Sequence, residues 1–191
     1  MQTLVFLSQK GGSGKTTLVT HTAVAAEERG ERVAIADTDS QGSATMWAQA
    51  RVAETPAIIQ APAVDLARVR EIAKRDGFTL VVVDSAPHTA PDAVRLAAQA
   101  DLIVVPCRPT AFDISAVAGT VEIIRAASAR AVFVLSACPA RAPETEETRT
   151  ILAGHGYPVF PGQITDRRSF ARAVASGRAV TEFETHGRAA E

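Results

Sequence analysis

The sequence predicts an α/β fold, a mostly parallel, doubly wound sheet flanked by helices, formed as one domain over residues 1–191. Three observations predict it. Apolar segments of strand length alternate with segments of helical periodicity along the chain. The strand segments are short and almost wholly apolar, without the polar alternate position of a half-exposed strand, so they read as buried on both faces. No linker, internal repeat or low-complexity stretch divides the chain, and its length suits one core.

The elements follow in order. Residues 2–7 form a strand, and a glycine-rich turn leads into a helix over 15–29. In that helix Leu18, Val19, Thr22, Ala25 and Ala26 fall at helical spacing, and Gly30 closes it. A strand over 32–36 precedes a helix over 43–52. A short strand at 57–60 precedes a helix over 65–75, closed by Gly77. The strand 80–83 ends at Asp84. Helix 91–100 leads to strand 102–105, stopped by Pro106. Helix 114–127, strand 131–135, helix 144–153, strand 158–160 and helix 169–175 complete the pattern. The polar tail from about residue 180 is expected to be loosely ordered. Ligands of such a sheet bind beyond the carboxyl ends of the strands, where residues 8–16, 37–43, 84–91 and 106–113 would gather.

Composition narrows the function. A formal net charge of −1 excludes a uniformly basic nucleic-acid binder but not a local basic patch. The longest apolar runs, such as 102–106 and 131–135, are too short to span a bilayer. The start Met1-Gln2-Thr3-Leu4 shows no secretion signal. Cys107 and Cys138 form no C-x-x-C pair and suggest neither a disulfide framework nor a zinc site, so a cytoplasmic setting is expected. Only three lysines occur against 17 arginines, and Lys10 and Lys15 share the most glycine-dense segment. In a chain that otherwise uses arginine, that segment calls for a slim ammonium instead of a planar fork.

Residues 9–17 read Gln-Lys-Gly-Gly-Ser-Gly-Lys-Thr-Thr, between a predicted strand and a predicted helix, which is the context of a phosphate-binding loop. Glycines let backbone N–H groups turn toward phosphate oxygens, and the helix start adds unpaired donors and partial positive charge. Gly11, Gly12, Ser13, Gly14, Lys15, Thr16 and Thr17 are the expected phosphate-binding residues. Lys15 reaches the β- and γ-phosphates, and the Thr16 hydroxyl suits Mg²⁺.

Lys-Gly-Gly-x-Gly-Lys-Thr resembles the deviant Walker A motif of the ParA/MinD family of P-loop ATPases. Residues 37–42, Asp-Thr-Asp-Ser-Gln-Gly, resemble the family's Asp-x-Asp-Pro-Gln-Gly segment with Ser40 in place of proline. Val81–Pro87 resembles its Walker B strand, and 106–113 resembles its Pro-x-x-Pro-[ST]-x-x-Asp segment. The likeness spans nearly the whole chain and is nearest the small ParF-like partition proteins. It implies ATP hydrolysis with Mg²⁺, in an ATP-bound homodimer. Lys10, Lys15 and Asp39 are then catalytic: Lys10 reaches the other subunit's nucleotide, and Asp39 orients the attacking water. Thr16, Asp37 and Asp84 serve the metal. Read alone, Lys10 is a solvated loop lysine, and an aspartate after an apolar strand is a cap. By position, the purine site lies near 136–139 and 161–164.

Arg167, Arg168, Arg172 and Arg178 fall within twelve residues, with no acid between Asp166 and Glu182. The resemblance implies that this region binds DNA without sequence preference, in a nucleoid-associated partition ATPase stimulated by a ParB-like or other centromere-binding protein. The plain alternative is a solvated helix face, or ion pairs with Glu144, Glu146 and Glu147. The tail has too few apolar residues for a membrane-binding helix. Two other functions stay open: a related positioning ATPase for a protein cargo, and an ATP-dependent ligase of the dethiobiotin synthetase type. The four histidines form no cluster; His88 alone follows the site's strand, and it reads more readily as an ordinary surface histidine.

Overall fold

In the computed structural model, described over residues 1–86, 90–185 and 187, a seven-stranded sheet has the order β3-β2-β4-β1-β5-β6-β7. All its strand pairs are parallel. The strands are β1 (Gln2–Phe6), β2 (Val33–Asp37), β3 (Ala57–Gln60), β4 (Leu80–Asp84), β5 (Leu102–Cys107), β6 (Ala131–Cys138) and β7 (Val159–Thr165). The helices are α1 (Lys15–Glu27), α2 (Ser43–Gln49), α3 (Leu66–Arg75), α4 (Ala90–Ala97), α5 (Ala111–Ala126), α6 (Glu144–Ala153), α7 (Arg168–Ala175) and α8 (Val180–Phe183). Pro87, His88 and the tail residues His186 and Arg188 lie outside the described residues.

The apolar strands separate two cores because successive side chains point to opposite faces. Val81 and Val83 join Leu66, Val69, Leu96, Val121 and Leu152 under α3–α6. Leu80 and Val82 join Leu18, Val19, Val24 and Trp47 under α1 and α2. Each fully buried valine or leucine is worth roughly 1.5–3 kcal/mol of removal from water, so the layers stay closed without polar alternates. The chain leaves β1 toward β2, returns through β3 to place β4 beside β1, and then crosses to β5 on the other side. That reversal opens a crevice at the carboxyl end of β1, where the phosphate loop follows.

Several boundaries differ from the sequence reading, β6 running on to Cys138 among them. β5 runs through Pro106 to Cys107; its pairing with β1 ends at Val104, so the proline has a ladder neighbour on the β6 side alone. α5 starts at Ala111 because Thr110 caps it, its hydroxyl accepting the Asp113 N–H at 3.3 Å. β7 extends to Thr165 as an irregular edge strand: two register shifts against β6 accommodate Pro161 and Gly162. Another is at the start of the tail.

Residues 179–183, at the start of the tail, are tied down more firmly than their polarity suggests. Ala179 and Val180 are buried, and Val180–Phe183 is helical. Arg51, after α2, forks onto Glu182 with Nη2–Oε1 at 2.7 Å and Nη1–Oε2 at 2.8 Å. Its guanidinium lies 4.9 Å from the Trp47 ring centroid, and Trp47 Nε1 donates to the Arg178 carbonyl at 3.2 Å. Gly177, at φ +67°, passes so near Ala50 that a Cβ there would lie 2.4 Å from its carbonyl carbon. Glycine alone satisfies both demands.

Candidate active site

The loop after β1 bends at Gly12 (φ +73°) and Gly14 (φ +95°), and Gly14 is the N-cap of α1. Left-handed backbone at both positions aims successive N–H groups to one side. Space lies open around Gly11 and Gly12, where an added Cβ would meet nothing within 4 Å. Ser136, from β6, donates its hydroxyl to the Ser13 carbonyl at 3.1 Å and braces the far wall of the loop.

Lys15 is 8% exposed, and its ammonium donates to the carbonyls of Ser8 (3.3 Å) and Lys10 (3.2 Å). Burial pulls its pKa down, against the nearby carboxylates of Asp84 and Asp39, which raise it. Lys10 takes the other direction. Its ammonium pairs with Asp113, the first-turn acid of α5.

Thr16 Oγ1 donates to Asp84 Oδ2 at 2.7 Å. Burial pushes the Asp84 carboxyl up to about 7, and Asp37 and Asp39 add to the rise, while the Thr16 bond and Lys15 oppose it. A hydroxyl and a carboxyl short of countercharge, beside a loop shaped for phosphate, fit a hard divalent cation.

Asp37 is fully buried and serves the fold. Its Oδ2 accepts Thr45 N–H (2.9 Å) and Thr45 Oγ1–H (2.8 Å), and its Oδ1 accepts the Asp39 N–H at 3.2 Å. It caps α2 and sets the turn that presents Asp39, a positioning role beside the place expected for it in the magnesium sphere. Asp39 is half-buried, and its Oδ1 accepts the Gln41 N–H at 2.9 Å. Its field reaches both Lys15 and Asp84.

Beside the loop lies a cleft of about 180 Å³, lined by Gly14, Thr17, Arg108, Ser136, Ile164 and Phe170 among others. The purine region expected from the sequence contributes Ser136, Ala137 and Ile164 to it. Arg108 and Phe170 escaped the sequence reading, since neither carries a spacing signal.

The four arginines divide. Arg167 is half-buried and lines the cleft, whereas Arg168, Arg172 and Arg178 are exposed. Arg168 and Arg172 stand one turn apart on α7, and Arg172 covers the Phe183 ring at 5.3 Å. Folding brings Glu184 into the same concavity as Arg167, Arg168 and Arg172. Of the acids considered as partners, Glu146 pairs with Arg149 instead. No helix of the described residues is long and apolar enough to cross a membrane.

Comparison with known proteins adds the family. A model of the CobQ/CobB/MinD/ParA nucleotide binding domain matches residues 4–180. The chain is 31% identical to a maintenance of carboxysome distribution protein A from Gloeobacter kilaueensis, over 93% of this chain and 82% of that protein. It is 26% identical to a protein ParA from Rhizobium radiobacter, over 90% and 81% respectively. The septum site-determining protein MinD from Pyrococcus horikoshii, solved with Mg-ADP, superposes with a TM-score of 0.80 at 14% identity, covering 99% of this chain and 91% of that one.

Proposed function

The chain belongs to the CobQ/CobB/MinD/ParA nucleotide-binding family as an ATP-hydrolysing ParA/MinD-type member, and from that premise we propose that it is a positioning ATPase for a protein cargo. The observation that carries this reading is the presence of two lysines on one phosphate loop: Lys15 turned inward, and Lys10 turned away from it toward α5. The likeness to a carboxysome distribution protein over most of the chain supports a protein cargo.

In this reading the backbone N–H groups of Gly11–Thr17 hold the phosphates, and Lys15 leaves its carbonyl partners for the β- and γ-phosphate oxygens. Thr16 and Asp84 would hold Mg²⁺, with Asp37 supporting its sphere, and the ion would supply countercharge to the phosphates. Asp39 orients the attacking water. Lys10 reaches the nucleotide of a second copy and offsets charge developing in its transition state. Hydrolysis thereby depends on an ATP-bound homodimer, and the turns at 38–42 and after Asp84 relax when the γ-phosphate leaves. The nucleoid serves as the matrix: Arg168, Arg172 and Arg178 contact DNA phosphates without reading sequence, and the dimer doubles the patch.

A DNA cargo handed over by a ParB-like activator is the second reading, supported by the likeness to ParA. Binding to random duplex DNA with ATP, ADP or no nucleotide, at two salt concentrations, tests the shared step. ATP-dependent, salt-weakened binding is expected. Failure to bind in every state would remove DNA as the matrix. Substrate-dependent ADP formation by a monomer would favour a small-molecule ligase instead.

A further inference from the structure

We propose that Asp113 is a latch for Lys10, holding the lysine within its own chain until a second copy claims it. The proposal rests on the reading of Lys10 as the group supplied across a dimer, and it adds a positioning residue to that site.

Asp113 is held independently of Lys10. It stands in the first turn of α5, its N–H donates to Thr110 Oγ1 at 3.3 Å, and its Oδ2 accepts the Thr110 hydroxyl at 2.6 Å. The residue is 5% exposed. A carboxylate this buried requires a cation, and the Lys10 ammonium meets the same Oδ2. Lys10 itself is one-third exposed, on the open side of the loop, so it can leave for another acceptor.

The loop couples this pair to the phosphate site. The Lys10 N–H donates to Ser8 Oγ at 3.2 Å, and the Lys10 carbonyl accepts the Lys15 ammonium. Lys15 therefore fastens the backbone of the residue whose side chain Asp113 fastens. A phosphate that draws Lys15 off the Lys10 carbonyl frees that backbone, and the ion pair to Asp113 is then the remaining restraint. The latch suppresses hydrolysis by isolated subunits and raises the protein concentration at which it begins.

The sequence makes the test clean, because Lys10, Lys15 and Lys74 are the only lysines and Lys74 is exposed. The full-length chain is labelled with an amine-reactive succinimidyl ester, and Lys10 modification is measured against Lys74 by peptide mass spectrometry. Asp113→Asn keeps the shape and the acceptor for Thr110. It is expected to raise the Lys10:Lys74 ratio by roughly 1.4- to fivefold, the range for a partly exposed ion pair, and to shift half-maximal ATP hydrolysis to lower protein concentration. An unchanged labelling ratio in folded Asp113→Asn overturns the latch, as does an unchanged protein concentration for half-maximal hydrolysis. Should Asp113→Asn fail to fold, the wild-type chain is labelled at low and at molar salt: a ratio rising with salt upholds the ion pair as the restraint, and a constant ratio rejects it. Normal hydrolysis by Lys10→Ala would sink the dimer reading separately, since labelling reports the latch whatever Lys10 does afterwards.

Discussion

Thr16 and Asp84 meet across the crevice at 2.7 Å, the hydroxyl at the start of α1 donating to the carboxyl at the end of β4. This bond joins the phosphate loop to the strand that carries the acid, and it sets the pH behaviour of the site. Asp84 is 1% exposed, and burial raises its carboxyl to about 7. A raised carboxyl binds its proton more tightly in the folded chain, so its ionisation removes stability as pH rises from about 4 to about 7.

Asp84→Asn therefore raises the melting temperature at pH 8 in the absence of Mg²⁺ and nucleotide, and the gain vanishes below about pH 4, where the wild-type carboxyl is protonated in both states. The same variant loses Mg²⁺-dependent hydrolysis. Thermal melts across pH, paired with a metal titration of ATPase rate, check both halves.

Lys15→Ala removes the buried ammonium to which the proposed function assigns phosphate binding. ATP affinity falls by about two orders of magnitude, the scale for a group aimed at a charged oxygen in a site of low dielectric. Because the ammonium is held against its pKa by burial, the variant folds at least as well as the wild type. Nucleotide titration by calorimetry, with a melt as control, measures the two effects.

The sheet and the phosphate loop were legible in the sequence for a physical reason. Val81–Val83 and Ile103–Val105 are buried on both faces and carry no polar alternate, and the glycines of the loop answer backbone demands that no other residue meets. Pairings made only by folding were not legible. Asp113 stood in a segment that resembled a family motif, yet nothing in its spacing indicated that it would face Lys10 across 103 positions. Asp37 reads as an acid at a strand end, and nothing in its spacing indicates that its oxygens accept from Thr45 and the Asp39 N–H. The tail looked loose because polarity says nothing of a partner as distant as Arg51.

That partner gives a stability prediction. Against burial, which raises it, the bonds from Arg51 and the Ala179 N–H hold the Glu182 carboxyl below its ordinary range. The stabilisation is present above about pH 4.5 and is lost as pH falls through the lower folded value. Glu182→Gln destabilises the chain at pH 7 by about 1–2 kcal/mol, between exposed and buried pairs. The difference from wild type closes in acid. Urea unfolding at pH 7 and pH 3.5 compares them.

Arg168 is exposed on α7 and does not line the cleft beside the phosphate loop. Arg168→Ala should weaken ATP-dependent binding to every duplex sequence alike and reduce the salt slope by about one per lost phosphate contact, while ATP hydrolysis remains measurable. An unchanged slope in fluorescence anisotropy would take Arg168 out of the DNA contact.

The most direct test of the central claim, that Lys10 acts on the other subunit's nucleotide, is a mixing experiment. Lys10→Ala and Asp39→Ala are each expected to hydrolyse ATP poorly, the latter because it binds ATP and remains trapped as a dimer. In a mixed dimer the Lys10→Ala subunit keeps its own Asp39 and receives Lys10 from its partner, completing one site of two. Random pairing then restores about a quarter of the wild-type rate. A mixture no more active than its separate components would show that Lys10 works within its own chain, and the dimer account would fail.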